Sequence, residues 1–177
     1  MSRLFAILVA SLVFAATATT THATADELRF TVSLDGKPIG YHRFQLRGDD
    51  VERELLSEAR FNVKVLFINA YRYEHDDHEL WRDGCLQRID ARTDDNGTRR
   101  SVRGSQTSTA FKVAAGDRTD ELSSCVITFA YWNPRILDAT HLLNPQTGEY
   151  VPVHVVRLGT DSITVQGAPR TAERYRL

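Results

Sequence analysis

Leu28-Arg-Phe-Thr-Val-Ser-Leu34, followed at once by Asp35-Gly-Lys-Pro38, decides the fold class. Leu28, Phe30, Val32 and Leu34 alternate with Arg29, Thr31 and Ser33. That is the period of two expected of a strand half buried on a core, not the 3.6 of a helix. Asp35 to Pro38 predicts a turn and Ile39 to Arg47 a returning strand, so this region is expected to be a hairpin.

The same parity continues outward. Ala59, Phe61, Val63, Val65 and Phe67 alternate with Arg60, Asn62 and Lys64, which predicts a long strand, bent or coiled and shared between two sheets. Tyr71 to Trp81 keeps aromatic residues in step at Tyr71, Tyr73 and Trp81 although the rest is polar. Arg82-Asp-Gly84 predicts a turn, Cys85 to Thr93 a strand, and Asp94-Asp-Asn-Gly97 a tight hairpin turn, because Asn-Gly accepts positive φ at both central positions. Gly97 to Gly104 and Thr107 to Ala115 follow as short strands, and the first is so polar that it is expected at a sheet edge. Asn96-Gly-Thr98 also matches a glycosylation sequon, which the turn chemistry explains without a glycan.

One stretch breaks the alternation. Asn133 as N-cap, Pro134 at the first helical position and Ile136, Leu137, Leu142 and Leu143 behind them predict a short helix or pair of turns near 134–143. Tyr150 to Leu158, Ser162 to Gln166 and Thr171 to Leu177 complete the series as strands. The expected fold is all-β, an antiparallel meander of about nine to ten strands forming a roll, open barrel or sandwich.

Residues 1–25 read as an export signal. Arg3 precedes an apolar run from Leu4 to Ala18, and Ala23-Thr-Ala25 offers the small residues of a cleavage site, so the mature chain is expected to start at Asp26 as a single domain, 26–177. The apolar run is short for a transmembrane helix and no Cys lies near it, so a stable membrane anchor is not expected. The location implied is periplasmic or secreted. There Cys85 and Cys125, the only two cysteines, are expected to pair as a disulfide. Net charge is −1 over the whole chain, which argues against a nucleic-acid partner.

Three groups of residues carry candidate chemistry. His75, Asp77 and Glu79 project from one side of an extended chain and Asp76 and His78 from the other. The first three could hold a divalent cation or pair as acid and base, but a solvated face that guards an edge is the plainer expectation. Glu58 and Arg60 on the preceding strand could meet this face, with a structural ion pair expected. Cys125-Val-Ile-Thr-Phe-Ala-Tyr-Trp-Asn-Pro134, taken as an alternating strand running into the helix start, would set Tyr131, Trp132 and Asn133 at the mouth of the sheet as a ligand platform or a core plug. No cofactor and no metal site is expected.

The order Leu34-Asp-Gly-Lys-Pro-Ile-Gly40, Tyr73 with His75, Glu79 and Trp81, Thr93-Asp-Asp-Asn-Gly97 and Cys125 to Pro134 resembles a bacterial family of exported proteins catalogued as a domain of unknown function (six-one-three-four). The resemblance implies a β-rich periplasmic protein in the style of lipocalin-like or spiral β-roll domains, brings no catalytic residue, and implies a further hairpin beyond Leu177. The leading expectation is a non-enzymatic domain that binds an apolar or amphipathic small ligand or an envelope component. Two alternatives stand beside it: an enzyme on an envelope polysaccharide using His75, Glu79 and Glu58, and an assembly partner that recruits a strand at an open edge.

Overall fold

The computed structural model describes residues 26–65, 68–165 and 167–177. Residues 1–25, where an export signal is expected, and Phe67 lie outside the described residues. Eight strands form one antiparallel meander: β1 Asp26–Leu34, β2 Lys37–Gly48, β3 Glu52–Val65, β4 Ile68–Arg82, β5 Cys85–Asp95, β6 Thr98–Gln106, β7 Phe111–Ala115 and β8 Arg118–Leu122. The sheet is open, with β1 and β8 at its edges. Two further pairs complete twelve strands: β9 His141–Leu143 with β10 Tyr150–Pro152, and β11 Val156–Val165 with β12 Ala168–Arg176. The all-β antiparallel fold is as expected, with more strands than the nine or ten foreseen.

Three hairpins turn where the sequence indicates. Asp35-Gly36, Asp83-Gly84 and Asn96-Gly97 all have positive φ, the geometry whose twist suits a two-residue hairpin. The first turn is tighter than expected, because Lys37 and Pro38 already pair within β2.

Several expectations fail for identifiable reasons. The polar strand at Gly97–Gly104 is part of β6, which lies inside the sheet; its polarity reflects a solvated outer face, and only its Thr98–Ser101 end extends past the shorter β7. β1 is an edge strand, so Leu28, Phe30 and Leu34 are exposed. β3 pairs with β2 and β4 alone and is not shared between two sheets. The strands expected to end at Leu158 and begin at Ser162 are one, β11, in which Gly159 at φ 108° sits at a shift of register. The helix near 134–143 is only a 3-10 turn at Pro134–Asp138, and Leu142 and Leu143 belong to β9.

Residues 126–153 cross the inner face of the sheet and bury it. Val126, Ile127 and Thr128 are buried in succession, so this segment is irregular and not an alternating strand. It is fastened by backbone hydrogen bonds from Leu86 N–H to Val126 O and from Leu143 N–H to Ile127 O. The Cys85–Cys125 disulfide pins its start to β5. Beneath it Trp81, Leu86, Ile89, Val102, Phe111 and Val113 pack with Val126, Ile136, Leu142 and Leu143 as the hydrophobic core. Gly104 leaves room for this packing, since a Cβ there would lie 2.5 Å from the Phe111 ring.

Candidate functional site

The inner face changes character toward β2, β3 and β4. In place of aliphatic side chains it presents Phe44, Ser57, Phe61, Tyr73, His75, Asp77 and Glu79, and the crossing segment stands away from them to leave a cavity of about 350 Å³. Thr128 to Trp132 and Asn144 to Gln146 form the opposite wall. This volume lies at the lower end of the roughly 300–1,000 Å³ usual for ligand pockets.

The floor is a pair of carboxyl groups. Asp77 and Glu79 alternate along β4 and are 6 % and 1 % exposed, because residues 126–153 cover the face that sequence parity had assigned to solvent. Glu79 accepts a 2.9 Å hydrogen bond from Trp81 Nε1 and is also hydrogen-bonded by Thr128 and Asp77. Burial raises the pKa of both carboxyls, and at Asp77 the neighbouring charge of Glu79 adds to the effect. Two neighbouring buried carboxyls cannot both ionise readily. The Oδ1 atom of Asp77 is buried and has no hydrogen-bond partner among the described residues. Such an orphaned acceptor costs about 1–3 kcal/mol unless something fills it.

Imidazoles and rings line the sides. His75 hydrogen-bonds Thr93 at 2.9 Å and His42 hydrogen-bonds Ser57 at 2.9 Å. Burial lowers both, His75 to about 4, so both are neutral near pH 7. Tyr73 stacks on Phe61 with centroids 5.1 Å apart, and burial pushes its hydroxyl up to about 12. Trp132 meets Trp81 edge to face at 5.2 Å under the guanidinium of Arg53. The apolar wall continues outward through the register pairs Phe44 with Leu28 and His42 with Phe30 onto the exposed edge strand.

The family model for a domain of unknown function, DUF6134, matches residues 30–177. The chain belongs to that family. Comparison of this DUF6134 chain with curated proteins and with solved structures found no match. The disulfide of the DUF6134 domain is compatible with export, and no helix among the described residues is long and apolar enough to cross a membrane.

The structure brings together His75, Glu79 and Trp132 and separates others. Glu58 sits on the opposite face of β3, where it takes a 2.5 Å bond from Arg43, a 2.7 Å bond from Tyr41 and an ion pair with Arg60. It therefore cannot join His75 and Glu79. Tyr131 reaches the cavity rim but is 74 % exposed. Asn133 is buried outside the cavity, where its side chain accepts from Arg135 N–H and donates to Gly84 O. Asp77 shares the parity of His75 and Glu79, but the residues that sequence points to for catalysis are His75, Glu79 and Glu58; two acids two apart on an otherwise aromatic inward face are the only local sign of Asp77. A larger concavity of about 700 Å³ lies beside Glu74, Asp94 and Arg99, but its charges are paired, as in Arg99 with Asp94 and Arg72 with Glu74.

Proposed function

We propose that this is an exported β-domain that binds a small amphipathic molecule, free or as part of an envelope component, in the cavity between β2–β4 and the crossing segment. The orphaned Asp77 Oδ1 on the floor of an aromatic cavity carries the reading, since a buried polar atom without a partner is the mark of a site completed by something else. The polar end of the molecule meets the carboxyl pair. Its apolar end follows Phe44 outward to the Phe30 and Leu28 shelf, where those exposed side chains would lose water.

Native mass spectrometry after exposure to total lipid and glycan extracts tests this. A discrete adduct that disappears when Ala59, a buried cavity-lining residue, is enlarged to Leu supports the reading. No adduct from either extract would overturn it.

A further inference from the structure

We propose that the ligand is an organic monocation, a primary amine carrying an apolar chain, whose ammonium group docks on the Asp77–Glu79 carboxyl pair. This rests on the ligand-pocket reading above and names the chemistry of its occupant.

Among the described residues the cavity is lined by two acids and by no lysine or arginine. The groups facing the pair are accounted for on every side. Along β4 lies His75, neutral near pH 7; from β2 and β3 come His42, also neutral, and Ser57; β5 turns Asp90 to the opposite face of the sheet, where Arg92 and Arg103 pair with it; and the crossing segment contributes Thr128. Arg53 stands over the Trp132 ring, 5.4 Å from its centroid, and is not among the cavity-lining residues. A pair that holds negative charge near neutrality therefore has no countercharge inside its own cavity. An ammonium group supplies that countercharge and donates to the unpartnered Asp77 Oδ1, while its apolar chain shares the cavity with the rings of Phe44, Phe61 and Tyr73. A hydroxyl would supply only the hydrogen bond, and a carboxylate would be repelled. Among the described residues no group of three or more His, Cys, Asp and Glu side chains is arranged to hold a metal ion.

Octylamine, octanol and octanoate share one chain and differ in head group, which separates the possibilities. Binding is followed by titration calorimetry and by the emission of Trp81 and Trp132, the chain's only two tryptophans, which flank the site. At neutral pH octylamine should bind about tenfold or more tighter than octanol, the step expected of a charge-assisted contact, with octanoate weakest. Asp77→Asn should remove that preference and leave octanol within about twofold, and Glu79→Gln gives the same contrast should the first variant fold poorly. Octanol binding as tightly as octylamine, or the preference surviving both substitutions, would overturn the amine assignment and leave the pocket intact. An adduct from cell extracts with no octylamine binding would do the same. Failure of all three probes together with no adduct would remove the pocket reading too.

Discussion

Trp81 Nε1 donates a 2.9 Å hydrogen bond to Glu79 Oε2, two residues back along the same inward face of β4. The bond couples the hydrophobic core, to which Trp81 belongs, to the carboxyl floor of the cavity. Trp81→Phe keeps most of the apolar contact and deletes the donor. Since the donor favours the charged form of Glu79, its loss raises the pKa of Glu79 further. We predict a loss of about 1–3 kcal/mol in urea unfolding, larger at pH 8 than at pH 5. An equal loss at both pH values would contradict the coupling.

Glu79 and His75 tilt stability in opposite directions. Glu79 is raised from 4.5 to about 7, so the folded chain holds a proton that the unfolded chain releases, and stability falls as pH rises across that interval. At about 1.4 kcal/mol per pH unit this amounts to about 3 kcal/mol. His75 is lowered from 6.5 to about 4, so the unfolded chain takes up a proton that the folded chain refuses, and stability falls as pH drops across that interval, again by about 3 kcal/mol. Between 4.5 and 6.5 the two slopes oppose each other. We predict that, relative to the unaltered chain, Glu79→Gln tilts the profile between pH 4.5 and 6.5 toward rising with pH, and that His75→Gln tilts it toward falling, while Asp77 and His42 contribute equally to both comparisons. Denaturant melts across this range check both signs.

Cys85 and Cys125 are separated by 40 positions, and closing a loop of that size restricts the unfolded chain by about 4 kcal/mol on the loop-entropy model. The bond also anchors the crossing segment where Arg135 and Asn133 reach back to the β4–β5 turn. The double change Cys85→Ala, Cys125→Ala should lower Tm by about 8–16 °C for a domain of this size. It should also increase hydrogen exchange in 126–132 more than in β5 to β7. Uniform exchange changes across the sheet would show that the bridge acts on the unfolded chain alone.

Local alternation made the strands and most of their turns legible. It told that His75, Asp77 and Glu79 share a side, since parity along β4 is a local property. It could not tell that this side is covered, because the cover depends on contacts of long sequence separation, such as Leu86 with Val126 and Ile127 with Leu143. Strand neighbours were hidden for the same reason. The polarity of β6 reports what its outer face meets, not which strands flank it, and the apolar residues of β1 report a face whose cover does not extend to the sheet edge. The break between Leu158 and Ser162 is absent because the glycine with positive φ there serves a bulge and not a strand end. Within the cavity, the chemistry-bearing residue types stood out in sequence, but the empty volume between them did not.

Ala59 offers a test of the cavity that leaves its chemistry alone. It lies on β3 across from His75 and His42, is 2 % exposed, and lines the cavity without a polar atom in its side chain. Ala59→Leu adds three carbons that have open volume to enter, so fold stability should change by less than about 1.5 kcal/mol, in contrast to the same change in a filled core. Octylamine binding should fall by about tenfold or more because the added side chain and the alkyl chain compete for one space. A large loss of Tm would mean that the space beside Ala59 is already filled. Retained binding with unchanged stability would put the ligand elsewhere on the sheet.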